Sequence, residues 1–404
     1  MSMRPLEFIH MADVHLGYAQ YNLEERLRDF ERAFREAVDK ILDIKPDFVL
    51  ICGDLFHHPR PSNETLEFAI EQLCRLKTAR IPVLAIDGSH DSAPNSVTGT
   101  ILRPLDSAGL LTYLPKRPGS SIELGDCYIY GIGYLRSRAR KAELQEYVKE
   151  VPPTPDPSKF NVMAFHTALS IGELGIPRHA ANIGPSDLPR GFDYYAGGHI
   201  HRPFLARLSE FGLPGEGYLA YSGSTETVNY REASFDKGFF LVRVSADKEV
   251  EVERIKLEGT RKFVVFEEDI TGLSPSEAGR QLAERVKALD ERGAVIVPII
   301  TGRLPPGALR SDVDLGLVRS AAELALTVRP VVRVEEAELE ELPSFSEERE
   351  DLKTRAYRYF LEAFRNRCPE GMDPEKLART AVEILDPLLS GDKEKVRSLL
   401  EGLI

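Results

Sequence analysis

Leu6-Glu7-Phe8-Ile9-His10-Met11 runs directly into Ala12-Asp13-Val14-His15, and this stretch decides how the chain is read. A short apolar run closing on polar, ligand-type side chains reads as a buried strand whose end carries chemistry. The same event recurs twice. Asp47-Phe48-Val49-Leu50-Ile51-Cys52 leads into Gly53-Asp54-Leu55-Phe56-His57, and Pro82-Val83-Leu84-Ala85-Ile86 leads into Gly88-Ser89-His90-Asp91. Between the strands, Leu23, Leu27, Phe30, Phe34, Ala37, Val38, Ile41 and Leu42 recur at helical spacing, which predicts a helix from Leu23 to Ile44. A second helix is expected from Glu64 to Leu76. Strand and helix in alternation predict an α/β layered core.

Working outward, further strands are expected at Cys127–Ile132, Phe160–Phe165, Tyr194–Ala196, Tyr218–Tyr221 and Phe239–Val244. His166 and Gly198-His199-Ile200-His201 each follow one of them, so polar groups keep arriving at strand ends, where α/β folds build sites. A boundary is expected near Ala246–Val250, giving a first domain of residues 1–245. A small α/β domain follows over 246–335, with strands at Phe263–Ile270, Ala294–Ile300 and Val331–Val334 and helices at Ser274–Leu289 and Asp312–Leu326. Residues 336–345 read as an acidic linker. Residues 346–404 form a helical tail, with helices at Glu347–Arg367, Pro374–Leu389 and Lys393–Leu403.

The 404 residues suit two or three such domains. The formal charge of −12 counts against a protein that holds nucleic acid by bulk charge; any such binding must use local basic patches and bound cations. No stretch approaches the apolar length of a membrane span, and the N-terminus lacks the apolar core of a secretory signal, so a cytoplasmic protein with no membrane partner is expected. Cys52, Cys74, Cys127 and Cys368 form no CxxC pair, which excludes a zinc ribbon or dithiol motif and fits a reducing compartment.

Asp and His in these segments are ligands for divalent metals such as manganese, iron and zinc. The i, i+2 spacing of Asp13 and His15, and of His199 and His201, suits a loop leaving a strand, where alternate residues face one site. Six of the nine histidines fall in the five segments; His10, His58 and His179 do not. Any one of these residues alone is weak evidence, but their joint order after predicted strands is specific.

These segments resemble the DxH, GD, GNH[DE], H, GHxH signature of the calcineurin-like metallophosphoesterases. Within that superfamily, His10–Asn22 (HMADVHLGYAQYN), Gly53–Ser62 (GDLFHHPRPS) and Gly198–Phe204 (GHIHRPF) resemble the meiotic-recombination-eleven/SbcD repair nucleases. The resemblance is carried by the first 245 or so residues. It implies a layered β-sandwich flanked by helices, followed by a small capping domain and a helical tail that docks on an SbcC-like coiled-coil repair ATPase. It implies two divalent ions, in the family manganese, with Asp13, His15 and His201 at the first, His166 and His199 at the second, and Asp54 bridging them. Where the family has an Asn ligand to the second ion, this chain has Ser89, whose shorter hydroxyl is a weaker donor. His90 would stabilise the phosphoryl group or protonate the leaving oxygen, Asp91 would orient the His90 ring, and His57 would position substrate. The implied chemistry is in-line hydrolysis of a DNA phosphodiester by water acidified between two ions, as 3′-to-5′ exonuclease and single-strand endonuclease. Two other readings stand beside it: a DNA-end-binding scaffold with weakened cleavage because of Ser89, and a small-molecule phosphodiesterase.

Outside the site, Arg136, Arg138, Arg140 and Lys141 form the densest basic run and can contact phosphates. Tyr221-Ser222-Gly223-Ser224 resembles the family loop beside the metals, with Ser222 and Ser224 as DNA-backbone contacts. Tyr357, Phe360 and Phe364 on one tail helix, and Leu377, Ile384 and Leu388 on the next, form apolar stripes, which the resemblance implies meet the ATPase. The resemblance also implies that helices of the first domain pair two subunits in a homodimer, with Asn63–Leu76 and Ser96–Ala108 as the candidates.

Overall fold

The computed structural model of the chain describes residues 3–92, 99–115, 121–135, 140–176, 183–335, 352–365, 373–390 and 392–402. Strands are β1 (Leu6–Met11), β2 (Phe48–Cys52), β3 (Val83–Ile86), β4 (Thr112–Tyr113), β5 (Ser121–Leu124), β6 (Cys127–Ile132), β7 (Phe160–His166), β8 (Tyr194–Gly198), β9 (Phe204–Arg207), β10 (Tyr218–Tyr221), β11 (Gly238–Val244) and β12 (Val250–Lys256). The helices among them are α1 (Glu24–Ile44), α2 (Asn63–Thr78), α3 (Leu102–Ser107) and α4 (Arg140–Glu150).

These strands make two six-stranded sheets, in the orders β12-β11-β1-β2-β3-β4 and β5-β6-β7-β8-β10-β9. In the first, β1, β2 and β3 run parallel (Phe8↔Phe48, Ile51↔Ala85), and β11 returns antiparallel beside β1 (Phe8↔Val242). In the second, β6, β7, β8 and β10 run parallel.

Side-chain alternation explains the layers. Phe8 on β1, Phe48 and Leu50 on β2, and Leu84 and Ile86 on β3 face the second sheet, where they meet Ile129, Phe160, Val162, Ala164, Tyr194 and Ala196. Phe8 stacks on Phe48 with centroids 4.9 Å apart, and Tyr194 meets Phe8 edge-on at 5.6 Å. The intervening residues Ile9, Met11, Val49, Ile51, Val83 and Ala85 face the helices, against Phe34, Ala37, Val38 and Ile41 of α1 and Phe68, Ala69 and Leu73 of α2. Each such fully buried large side chain contributes about 1.5–3 kcal/mol. A third cluster covers the outer face of the second sheet with Leu135, Leu144, Leu169 and Leu188. The arrangement is the β-sandwich flanked by helices that the resemblance implied.

Contacts divide the chain into two units: Met1–Val265 with Glu291–Val295 and Leu324–Leu326, and Phe266–Asp290 with Ile296–Glu323 and Thr327–Ile404. The division expected after residue 245 therefore moves to 265, because β12 pairs along its whole length with β11 (Val244↔Val250 to Gly238↔Lys256) and belongs to the sandwich. The remaining strands, Phe263–Asp269, Val295–Thr301, Thr327–Val328 and Val331–Val332, form a four-stranded sheet. The helix Pro275–Ala288 carries a Ser274/Glu277 capping box. The helix expected over Asp312–Leu326 is only Leu315–Ser320, started by the Asp314 side chain on the Leu317 N–H. Its C-terminal part is drawn away by backbone pairing, with Leu324 O accepting from Gly293 N and Leu326 N donating to Ala294 O. The tail holds helices Leu352–Arg365, Pro374–Ser390 and Lys393–Glu401, the first two joined by a Lys353–Asp386 ion pair of 2.7 Å. The expected linker, 336–345, lies outside the described residues.

Candidate metal centre

The C-terminal ends of β1, β2, β3, β7 and β8 converge, and each delivers side chains to one place. The backbone there is bent to do so. Asp13 (φ 54°), His15 (φ 53°), Asp54 (φ 53°) and His199 (φ 85°) all sit in the left-handed region that non-glycine residues avoid. Four of the nine described non-glycine residues with positive φ are thus on this rim, the clustering expected where strain is retained for a site. Hydrogen bonds hold the bends: Asp13 N to Gly53 O (3.1 Å), and Val14 N and His15 N both to Asp54 O (2.9 Å). Close approach requires glycine at two places. A Cβ on Gly88 would lie 2.1 Å from Asp54 Oδ1, and one on Gly198 would lie 1.9 Å from Cys52 O.

Two ligand groups result, Asp13/His15/His201 and Asp54/His166/His199, each with its donor atoms within 4.8 Å of one another. His15 Nε2 and His201 Nε2 face each other at 3.3 Å, and His201 Nε2 lies 3.7 Å from Asp13 Oδ1. Asp54 Oδ2 is 3.2 Å from His166 Nε2 and 3.9 Å from His15 Nε2, so this one carboxylate reaches both groups. Asp13, His15 and His166 are fully buried.

The donor set fits divalent cations. His166 Nδ1 donates to Cys52 O at 2.8 Å, which turns Nε2 toward Asp54, and that buried Nε2 makes no well-formed hydrogen bond. A buried nitrogen held on a carboxylate without one is what a ligand awaiting its cation looks like. Burial drives His15 well below the ordinary imidazole range and His199 down to about 3, so both are neutral and able to coordinate. Burial would lower His166 too, but Asp54 overrides it and raises His166 above the ordinary range; the same pairing holds Asp54 below its own range despite burial. A cation between them would take the place of that proton. Burial raises Asp13 to about 6, against the pull of His201 and His166.

A third cluster, His15/His57/His90, borders the first two. The His57 ring is stacked between Tyr18 (centroids 3.8 Å) and His90 (4.6 Å) and puts Nδ1 3.2 Å from His15 Nδ1. His90 Nδ1 donates to His57 O at 2.8 Å, and the His90 backbone N–H donates to Asp54 Oδ1 at 2.7 Å. The His57 carbonyl, rather than Asp91, therefore orients the His90 ring. Asp91 is fully buried and accepts from the backbone N–H groups of Leu55 (3.2 Å), Phe56 (2.8 Å) and Gly88 (3.0 Å), locking the Asp54 loop to the loop after β3. Ser89 does not face the second ligand group as an independent donor. Its hydroxyl donates to Asp54 Oδ2 at 3.2 Å.

Other expected contacts fare differently. Ser222 and Ser224 are fully buried, so their hydroxyls are not presented to a DNA backbone; Ser224 Oγ lies 3.3 Å from Glu232 and Ser222 Oγ 3.3 Å from Gly223 O. Arg136 and Arg138 lie outside the described residues. Arg140 begins α4, and Lys141 pairs with Asp187 at 2.7 Å. In the tail, Phe360 stacks on Phe364, Tyr357 and Leu377 are half-buried, Ile384 is buried, and Leu388 is 61% exposed. Glu232 was not found from the sequence. It lies 31 residues beyond His201, in no motif, yet accepts from His201 Nδ1 at 2.7 Å.

The calcineurin-like phosphoesterase family model matches residues 6–203, the span that holds every ligand above. The DNA double-strand break repair protein Mre11 of Methanococcus maripaludis is 32% identical over 268 residues, covering 64% of this chain and 69% of that protein. The protein of the same name from Archaeoglobus fulgidus is 30% identical over 368 residues, 84% of this chain and 78% of its own length. That from Sulfurisphaera tokodaii is 29% identical over 317 residues, covering 77% and 78%. Among the described residues no helix is long and apolar enough to cross a membrane.

Proposed function

Because the chain belongs to the Mre11 family of DNA double-strand break repair proteins, within the calcineurin-like phosphoesterases, we propose that it is a two-metal nuclease that hydrolyses phosphodiesters at DNA ends, as 3′-to-5′ exonuclease and single-strand endonuclease. The observation that carries this is the pair of ligand groups, Asp13/His15/His201 and Asp54/His166/His199, meeting at Asp54. Manganese is the proposed ion, since mixed imidazole and carboxylate donors suit it. Two such ions supply Lewis acidity to a phosphate and acidify a water.

The chain's own groups do the rest. Asp54 spans the two positions and is held in place by the His90 N–H and the Ser89 hydroxyl. His90, with Nδ1 committed to His57 O, has Nε2 left to steady a phosphoryl oxygen and pass a proton to the leaving oxygen. His57 packs behind His15 and His90 and keeps both rings in register with the substrate phosphate. The tail helices Leu352–Arg365 and Pro374–Ser390, with Leu388 exposed, are proposed to bind an SbcC-like coiled-coil ATPase, and α2 to pair two subunits.

Ser89 favours a second reading. A hydroxyl already donating to Asp54 offers the second position little, so the chain would bind DNA ends and cut them weakly. The test is manganese-dependent cleavage of end-labelled duplex and hairpin DNA by the chain, Ser89→Asn and Asp54→Asn. Cleavage that Asp54→Asn abolishes supports the nuclease. Cleavage appearing only with Ser89→Asn supports the weakened form. Turnover confined to a chromogenic small phosphodiester refutes both.

A further inference from the structure

The metal-facing nitrogen of His201 is set by a buried charged assembly that contains no metal ligand. Glu232 closes the short turn Tyr230–Glu232, whose start is capped by the Asn229 side chain on Arg231 N. Its two carboxylate oxygens have different partners. Oε2 is tied down by Lys237 Nζ (2.8 Å), Val228 N (3.2 Å) and the Ser224 hydroxyl (3.3 Å), and Lys237 also donates to Ser224 Oγ (2.9 Å). Oε1 accepts the 2.7 Å bond from His201 Nδ1. Lys237 and Glu232 side chains are only 3% and 11% exposed, so the pairing is shielded from water. A Lys–Glu pair needing only to satisfy itself would not have to leave one oxygen on an imidazole.

We infer that Glu232, anchored by Lys237 and Ser224, is a positioning residue of the metal centre that makes the Asp13/His15/His201 position the tighter of the two. Accepting the Nδ1 proton fixes the tautomer, leaves the Nε2 lone pair pointing at Asp13 and His15, and raises the basicity of that nitrogen. Among the described residues the other position has no such partner. Of its two histidines, His166 donates Nδ1 to the neutral carbonyl of Cys52 and the His199 ring pairs with no outer carboxylate, and Ser89 adds no free donor there. One position thus has an anion behind its imidazole and the other a dipole, so the two cations load in sequence, the His201 position first. This rests on the metal-centre reading above.

The experiment is titration of Mn2+ into the metal-stripped full chain, followed by calorimetry and by the electron paramagnetic resonance signal of free Mn2+. The wild type should take up two ions in two separated steps. Glu232→Gln should weaken the tight step by about 10–100-fold, the usual effect of losing such an outer partner, and leave the weak step in place; Glu232→Asp should recover part of the loss. A folded Glu232→Gln with an unchanged tight step overturns the inference, whereas a wild type that takes up no Mn2+ overturns the metal centre itself. If Glu232→Gln does not fold, Lys237→Gln decides by the same titration: freeing Glu232 from its anchor should weaken the tight step alone, and a folded Lys237→Gln with an unchanged tight step overturns the inference.

Discussion

Replacing His10 by Phe should destabilise the sandwich by an amount that shrinks as pH falls. His10 is fully buried near the C-terminal end of β1, with Nδ1 3.0 Å from Tyr194 Oη and Nε2 3.1 Å from Gly197 O, so it joins the two sheets just behind the metal centre. A Phe fills similar space but leaves two buried polar groups without their partner, at about 1–3 kcal/mol each, hence about 2–6 kcal/mol at pH 8. Burial lowers His10 from 6.5 to about 3. The unfolded chain therefore binds a proton below pH 6.5 that the folded chain refuses. The His10 contribution is complete above 6.5 and is lost as pH falls toward 3, at about 1.4 kcal/mol per pH unit. At pH 5 the wild type has lost about 2 kcal/mol that the variant never had. Other buried histidines titrate in both proteins and cancel in the difference. Urea unfolding in EDTA, followed by near-ultraviolet circular dichroism of the tyrosines, measures it. A destabilisation of equal size at pH 8 and pH 5 would refute the argument.

Mn2+ binding should release protons and tighten with pH, by up to about tenfold per unit for one proton displaced, because the cation must displace the proton that Asp54 holds on His166; calorimetry in buffers of different ionisation enthalpy counts the protons, and none released would contradict the pairing. Gly88→Ala should cut Mn2+ uptake and nuclease turnover at least about tenfold, since its Cβ would meet Asp54 Oδ1 and Asp54 N, and atomic absorption of the purified variant checks the metal content. Ser89→Asn should strengthen only the weaker Mn2+ step, by about tenfold, seen in the same titration. Deleting residues 344–404 should abolish capture of an SbcC-like ATPase while Mn2+ stoichiometry stays at the full-chain value; retained capture would move the docking surface elsewhere.

The sandwich could be read because its signals are local. Phe48–Cys52 is apolar on both alternations and Phe8-Ile9-His10-Met11 nearly so, His10 apart, which only a strand covered on two faces requires. The same runs end in Asp13, His15 and Asp54, and a parallel sheet brings such ends together. Signals that depend on a distant partner were lost. Val250–Glu253 alternates apolar and charged residues, but Arg254-Ile255 reverses the phase and nothing local says that β11 is its neighbour, so the sequence places the domain boundary too early. In Asp312–Leu326 the helical pattern is genuine, but backbone pairing near Gly293 and Ala294 outweighs it. Ser222 and Ser224 are buried rather than facing outward, which the sequence hides because a hydroxyl in a loop motif carries no mark of which way it points.

The outer layer of the centre follows the same logic and explains what a motif can carry. A metal ligand must be Asp or His at a fixed bend, so its identity and spacing are constrained together. A partner for its far side need only accept a proton, and the chain meets that need three ways here: a carboxylate for His201, a carbonyl from Cys52 for His166, and a neighbouring ring, His57, for His15. The Cys52 carbonyl belongs to the backbone and leaves no side-chain signature, while the His57 ring lies inside a motif. The third, Glu232, can stand anywhere the fold returns to His201, which is why it sits outside every motif. It also carries full charge where the carbonyl carries only a dipole. The feature least visible in the sequence is therefore the one that most separates the two ligand groups.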